Sequence, residues 1–227
     1  MRRMKRVNRR ASPSLRATFL PVEGVIYACF LLLDLTGHGD QTVPIKYAGI
    51  VLCLGFSLLG EDRLVPLALA LTAGADWFLL VRNDCYPLGI GLFLCVQTVY
   101  FVRLRAAGAD GGYFLRAALA LGGGMAVYAL HMASPVNLLA ALYFSQLLAN
   151  TLLAWRLRGG RWRTFALGLT LFVGCDVCVG LFNVLPAGSR LYQAASVGMW
   201  LFYLPSQVLI ALSALAEKSA KEKSIGK

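Results

Sequence analysis

Charged residues are scarce in this chain of 227 amino acids, since Asp, Glu, Lys and Arg together make up 15% of it, whereas a typical soluble domain has about 25%. Histidine is rarer still, with two residues, and neither has companions at the spacing of a metal site. Hydrophobic residues make up 58% of the chain. This balance excludes a disordered chain and an ordinary cytosolic enzyme. It indicates a protein whose solvent is the lipid bilayer.

Several familiar catalytic motifs are also absent. The sequence has no G-x-S-x-G, no H-E-x-x-H and no Walker sequence. Its six cysteines lie almost entirely within apolar runs, where no oxidising solvent reaches them, so a disulfide framework is not expected. Cys175 and Cys178 form a C-x-x-C pair without a second Cys or His pair, and we interpret them as small packing residues. The sequence therefore implies neither a metal nor an organic cofactor.

The main feature of the sequence is a series of long apolar runs. A membrane-spanning helix needs about 20 mostly apolar residues, and eight runs near that length lie between polar breaks. They cover residues 17–36, 45–60, 64–81, 88–102, 113–130, 136–155, 164–184 and 191–215. The second and fourth are short. We predict an all-α membrane protein with eight transmembrane helices.

Basic residues give the net charge of +11 and predict a topology, because cytoplasmic segments collect Lys and Arg. With the N-terminus inside, only three of the 22 basic residues, Lys46, Arg82 and Arg190, lie outside the cytoplasmic segments. The charge therefore indicates membrane orientation and not nucleic-acid binding. We expect an integral protein of a bacterial cell membrane, with a basic N-terminal tail (residues 1–16), a membrane domain (17–215) and a C-terminal tail (216–227), both tails being cytoplasmic.

The membrane domain contains an internal repeat. A shift of 100 residues aligns the third apolar run with the seventh, and the pattern G-x-D-x6-N recurs around Asp76 and Asp176. A weaker repeated pattern follows in the next run of each half, where an aromatic residue stands four residues before a glutamine. The pairs are Phe93 with Gln97 and Tyr203 with Gln207. Each half, about 17–105 and 113–215, holds four runs. We therefore expect two four-helix repeats of the same orientation, related by an axis along the bilayer normal.

The two aligned acids are the strongest candidates for a functional site. A carboxylate in hydrocarbon costs at least about 2.5–3.5 kcal/mol, so Asp76 and Asp176 should face the bundle interior, and the repeat places them at one depth. If they meet, their like charges favour one shared proton, which leaves an acid and a base for proton transfer. The alternative is that each Asp only hydrogen-bonds a neighbouring helix.

Other polar residues in the runs support either interpretation. Gln97 and Gln207 could orient a carboxylate or a water molecule, or could bond neighbouring helices. Tyr100 shares the face of Gln97 and could line a site or simply pack. Glu23 and Asp34 lie toward opposite ends of the first run, where we expect them to reach the headgroups.

Four segments carry a resemblance to a known family: AGADWFLL around Asp76, GLFLCVQTVY around Gln97, LFVGCDVCVG around Asp176 and FYLPSQVLIALS around Gln207. With these, essentially the whole chain resembles the YhhN-like lysoplasmalogenase family of eight-span membrane proteins. That family usually has Gly where Ala75 stands and Ser where Cys175 stands. It usually has His at the position of Gln97.

The resemblance implies a membrane hydrolase that cleaves the vinyl ether of a lysoplasmalogen to a fatty aldehyde and a glycerophospho-headgroup, without a cofactor. In this hypothesis one of Asp76 and Asp176 is the acid and the other assists water, much as paired carboxylates act on glycosidic bonds. The substrate-binding candidates are Gln97, Gln207, Tyr100 and Tyr203. The expected partners are a lysophospholipid substrate and the membrane, with no nucleic acid, and the sequence has no signature of an oligomeric state.

Two alternatives remain open from the sequence. A catalytically attenuated relative would bind or transport lipid in the same cavity without turnover, and Gln97 favours this because an amide cannot titrate. A cation- or proton-coupled transporter would use the two acids as a relay.

Overall fold

The computed structural model of this protein describes residues 13–215, which form eight α-helices. They are α1 (Pro13–Leu35), α2 (Val43–Ser57), α3 (Leu64–Asp76), α4 (Tyr86–Ala106), α5 (Tyr113–Ala129), α6 (Pro135–Arg156), α7 (Gly160–Val184) and α8 (Arg190–Leu212). A 3-10 turn, Gly39–Gln41, precedes α2, and a π-helical segment, Trp77–Val81, continues α3. The C-terminal tail at 216–227 and most of the N-terminal tail predicted at 1–16 lie outside the described residues.

All eight apolar runs are helical, as predicted, and six of them are long and apolar enough to cross a membrane: α1, α3 with its π-helical continuation, α4, α6, α7 and α8. The other two, α2 and α5, have 15 and 17 residues. Our prediction that the fourth helix is short is wrong, because α4 has 21 residues. It extends through Arg103 and Arg105, which are good helix formers whose charge suits the last turn of a helix.

Glycines let α7 and α8 pack closely along their length. A Cβ atom at Gly168 would lie 2.9 Å from Cγ1 of Ile210 and 3.1 Å from the carbonyl oxygen of Ser206. One at Gly198 would lie 2.7 Å from Sγ of Cys178. Small residues allow this approach between membrane helices, where packing replaces the hydrophobic effect. The α7–α8 pair is the most extensive helix contact among the described elements.

Two contacts fix the direction of α3 relative to α8. The amide of Asp62, just before α3, donates to the carbonyl of Ala214, just after α8, across 3.4 Å. Further along, Tyr203 of α8 meets Asp76 of α3. The two helices are therefore antiparallel, with the start of α3 at the end of α8.

A charged cluster closes this end of the bundle. Arg103 of α4 donates from Nε to Oδ2 of Asp62 at 2.7 Å and from Nη2 to the carbonyl of Ser213 at 2.8 Å. Arg161 of α7 donates to the same two residues. Burial by itself raises the pKa of Asp62, but the two guanidinium groups outweigh it and hold that pKa below its usual value. The cluster ties α4, α7 and the end of α8 to the α2–α3 loop.

The two acids of α1 do not reach the headgroups as we expected. Glu23 is 3% exposed, and its carboxylate accepts a hydrogen bond from Sγ of Cys53 at 3.3 Å. It fits there because Gly49 has no side chain: a Cβ at Gly49 would lie 3.3 Å from Oε2 of Glu23. Asp34 forms an ion pair with Lys46, whose Nζ lies 2.7 Å from Oδ2. That expectation is wrong because α1 turns both acids toward α2.

Candidate active site

Asp76 ends the α-helical part of α3 and is sealed in the interior, with 5% of its surface exposed. The small residues Ala73 and Ala75 flank it and are also buried. Tyr203 of α8 donates its phenolic hydrogen to Oδ2 of Asp76 at 2.7 Å. A hydrogen bond to an ionised carboxylate is shorter and stronger than one between neutral groups. The contact therefore fixes the orientation of the Asp76 carboxyl.

Asp176 of α7 has an equivalent partner on a different helix. Tyr143 of α6 donates to Oδ2 of Asp176 at 2.6 Å. Our sequence analysis did not select Tyr143. A signal was present, because Tyr143, Gln146 and Asn150 recur at the three- and four-residue spacing of one helical face inside an apolar run.

Aromatic rings connect the two Tyr–Asp pairs. The ring of Phe93 lies 5.7 Å from that of Tyr143 and 5.6 Å from that of Phe172, whose ring lies 5.6 Å from that of Tyr203. Among residues 13–215 no hydrogen bond joins the two carboxyls, so the structure does not show the direct contact that a shared proton would need. Each acid instead has its own phenol. The chain of ring contacts from Tyr143 through Phe93 and Phe172 to Tyr203 places the two pairs around one region of the interior.

The sequence explains why the two donors differ. Phe93 and Tyr203 correspond in the alignment of the two halves, each standing four residues before a glutamine. Phe93 has no hydroxyl group, so α4 cannot supply the hydrogen bond that α8 supplies. Tyr143, packed beside Phe93, supplies it from α6.

Gln97 is held by a polar chain that runs between helices. Nδ2 of Asn150 lies 2.9 Å from both the side-chain and the backbone carbonyl oxygens of Gln97. Asn150 in turn accepts from Nη2 of Arg116 at 2.6 Å. The amide nitrogen Nε2 of Gln97 is buried and has no hydrogen-bond partner within the described part of the chain. No hydrogen bond there joins Gln97 to either Asp.

The remaining candidates, Tyr100 and Gln207, are buried in the interior of the bundle. Tyr100 is 0% exposed and packs edge-on against Phe165 at 5.2 Å, and its hydroxyl is unpartnered within residues 13–215. Gln207 is also 0% exposed; its Nε2 lies 3.4 Å from Oγ of Ser206, and its Oε1 has no partner in that range. The structure thus brings Tyr203 to Asp76 directly, while Gln97, Tyr100 and Gln207 direct polar atoms into the interior.

A groove on the surface of the bundle is not the chemical site. It has a volume of about 570 Å³, lies between α2 and the π-helical segment, and is lined mainly by apolar residues with Tyr47 and Trp77 in its wall. Asp76 is not part of the lining, because its carboxyl points to α8. Within residues 13–215 no three His, Cys, Asp or Glu side chains are grouped closely enough to hold a metal ion.

The helices and the two Tyr–Asp pairs define an integral membrane protein with two acids held by tyrosines between apolar helices. The sequence matches the YhhN family over residues 41–214, which is most of the chain, and the chain belongs to that family. No curated protein and no solved structure matches it.

Proposed function

We propose that this protein is a lysoplasmalogenase-type membrane hydrolase that cleaves the vinyl ether of a lysoplasmalogen with Asp76 and Asp176. Membership of the YhhN family supports this assignment. The observation that carries it is the pair of carboxyls in an apolar interior, each oriented by one phenol, from Tyr203 and Tyr143. Oriented carboxyls at the border of one interior region are suited to proton transfer on an uncharged lipid.

The proposed architecture has all eight helices crossing the membrane as two four-helix repeats, with residues 1–16 and 216–227 as cytoplasmic tails. At 1.5 Å per residue the 15 residues of α2 and the 17 of α5 span about 22 and 25 Å. Such helices fit a hydrocarbon core that thins locally. The cluster of Asp62, Arg103 and Arg161 lies at the end that the proposed topology places in the cytoplasm. The proposed location is a bacterial cell membrane.

The reaction begins with transfer of a proton from one carboxyl to the β-carbon of the vinyl ether, which creates an oxocarbenium ion. The other carboxylate stabilises this cation and removes a proton from water as the water oxygen bonds to the cationic carbon. The resulting hemiacetal breaks its bond to the glycerol oxygen and releases a fatty aldehyde and a glycerophospho-headgroup. Gln97, Gln207 and Tyr100 are the proposed substrate-binding residues with Tyr203, and each has a buried polar atom without a partner among the described residues.

The aldehyde assay tests the proposal directly. Purified protein in detergent should release aldehyde from a lysoplasmalogen, and the Asp76→Asn and Asp176→Asn variants should each lose this activity. The matched control is Asp84→Asn, because Asp84 pairs with Arg82 outside the membrane helices and should not affect turnover. Full activity in both of the first two variants would contradict the mechanism.

One observation favours a second candidate, a catalytically attenuated protein that binds or transports lipid. The oxygen of Gln97 is occupied by Asn150, and an amide cannot exchange protons as the histidine usual in the family can. A Gln97→His variant separates the two candidates. Substantial aldehyde release by the wild-type protein favours the hydrolase, whereas release only after the substitution favours the attenuated protein. A substrate-dependent pH change in proteoliposomes would instead favour proton-coupled transport.

A further inference from the structure

The two acids differ in how far they are enclosed. Asp76 is 5% exposed, whereas Asp176 is only half-buried. A lipid chain can therefore approach Asp176 from the surface of the bundle. Asp76 is nearly closed to that surface.

The residues one helical turn before the two acids differ in polarity. Thr72 precedes Asp76 by four residues on α3, while Phe172 precedes Asp176 by four on α7. These positions correspond under the shift of 100 residues. Thr72 and Phe172 are both buried, at 0% and 1% exposed, so one acid has a hydroxyl beneath it and the other has an apolar ring.

The antiparallel register places a second polar group opposite Thr72. Asp76 of α3 contacts Tyr203 of α8. Because the two helices are antiparallel, the residue four positions before Asp76 lies at the same level as the residue four positions after Tyr203. These residues are Thr72 and Gln207. Oγ1 of Thr72 and Oε1 of Gln207 are buried, and neither has a hydrogen-bond partner among the residues described. The unpartnered Nε2 of Gln97 lies one turn beyond Phe93, at a similar level.

Buried polar atoms are almost always satisfied, and a site with two to four converging polar groups binds water. We propose that Thr72 and Gln207 hold the hydrolytic water beneath Asp76, that Asp76 is the base and that Asp176 is the acid. This inference rests on the proposed hydrolase function. It assigns the two similar carboxyls to separate steps of one reaction.

In this assignment Asp176 gives its proton to the β-carbon of a lipid that reaches it from the apolar side. Water held by Thr72 and Gln207 then forms a bond from its oxygen to the cationic carbon, and its proton passes to Asp76. As the carbon–oxygen bond of the hemiacetal breaks, Asp76 gives the proton it holds to the glycerol oxygen, and the hemiacetal hydroxyl gives its proton to Asp176. This leaves the aldehyde and restores both carboxyls to their starting states. Water is the co-substrate, and no oxidant or reductant is needed.

Deuterium exchange into unreacted lipid distinguishes the two roles. In D2O, Asp76→Asn should lower aldehyde release about 100-fold or more, while deuterium accumulates at the vinyl β-carbon, because the cation forms and then returns to the alkene. Asp176→Asn should give neither aldehyde nor exchange. The reverse pattern, or no exchange in either variant, overturns the assignment.

Substitutions at Thr72 test the proposed water site. Thr72→Val removes the hydroxyl at nearly constant volume and should lower kcat about tenfold, with exchange into recovered lipid. Thr72→Ser keeps the hydroxyl and should retain activity. The matched control is Thr151→Val, since the buried Thr151 already donates to the carbonyl of Leu147 at 2.8 Å. Wild-type kcat without exchange in Thr72→Val overturns the water site.

The outcomes also separate this inference from the function on which it rests. A wild-type protein that releases no aldehyde contradicts the hydrolase itself. Aldehyde release by the wild type, with the wrong pattern of exchange in the Asp variants, contradicts only the division of roles between Asp76 and Asp176.

Discussion

The phenol of Tyr203 donates to the carboxyl of Asp76 across 2.7 Å and joins α8 to α3 at the centre of the bundle. We expect Tyr203→Phe to lower aldehyde release about tenfold or more, since the carboxyl loses its only described donor. Polar bonds between membrane helices contribute about 0.6–2 kcal/mol to stability, so the variant should fold. Thermal unfolding in detergent checks folding, and the aldehyde assay checks the effect on turnover. Unchanged turnover would show that the phenol does not position Asp76.

A rescue experiment tests the alternative donor of Asp176. Tyr143→Phe should lower activity by a factor similar to that of Tyr203→Phe. Adding Phe93→Tyr should restore part of the activity, because Phe93 corresponds to Tyr203 and its ring lies 5.7 Å from that of Tyr143. The measurement is kcat of the single and double variants. A double variant no better than Tyr143→Phe would mean that a hydroxyl at Phe93 does not reach Asp176.

The charged cluster predicts an acid-sensitive component of stability. The pKa of Asp62 is lowered in the folded protein, so its contribution is present above the pKa of the unfolded chain, about 4. It is lost as the pH falls through the folded value. Thermal unfolding at pH values from about 6 to about 3 should show this loss in the wild type.

The Asp62→Asn variant provides the comparison for that experiment. It should be less stable by about 3 kcal/mol near neutral pH, because two arginines lose their carboxylate. Its stability should change less on acidification than that of the wild type. An equal change in both proteins would assign the acid sensitivity to other groups.

Close packing of α7 on α8 predicts opposite effects of two Gly→Ala substitutions. Gly168→Ala should destabilise the protein by about 1–3 kcal/mol, because the added methyl group meets the backbone of α8. Gly122→Ala is the control, since a Cβ added there would have no atom of another helix within 4 Å. It should be neutral or stabilising by up to about 1 kcal/mol through helix propensity. Equal unfolding temperatures for both variants would contradict the close contact.

The helices could be predicted from the sequence because the bilayer demands long apolar runs, and polar breaks mark where such runs end. The extra length of α4 could not be predicted in this way. Arg103 is a polar break by composition, and yet the helix continues through it. Its charge is satisfied by Asp62, which lies 41 positions away in the chain. A pattern within one run carries no information about such a partner.

The candidate site could likewise be predicted from the sequence only in part. Asp76 and Asp176 could be selected because carboxylates are rare in apolar runs, and both occupy the interior. Tyr143 was missed because tyrosine is common in membrane helices, and its role depends on which helix lies beside α7. The burial of Glu23 was likewise set by a neighbour, Gly49 of α2.

The π-helical segment Trp77–Val81 begins directly after Asp76, whereas α7 continues as α-helix past Asp176. Wide turns of this kind often accompany functional positions. In the proposed two-repeat architecture, identical halves would give a substrate equivalent surroundings in either direction. The change of helical winding after Asp76 alone makes the surroundings of the two acids different, so only one direction of binding would place a given end of the substrate beside Asp76.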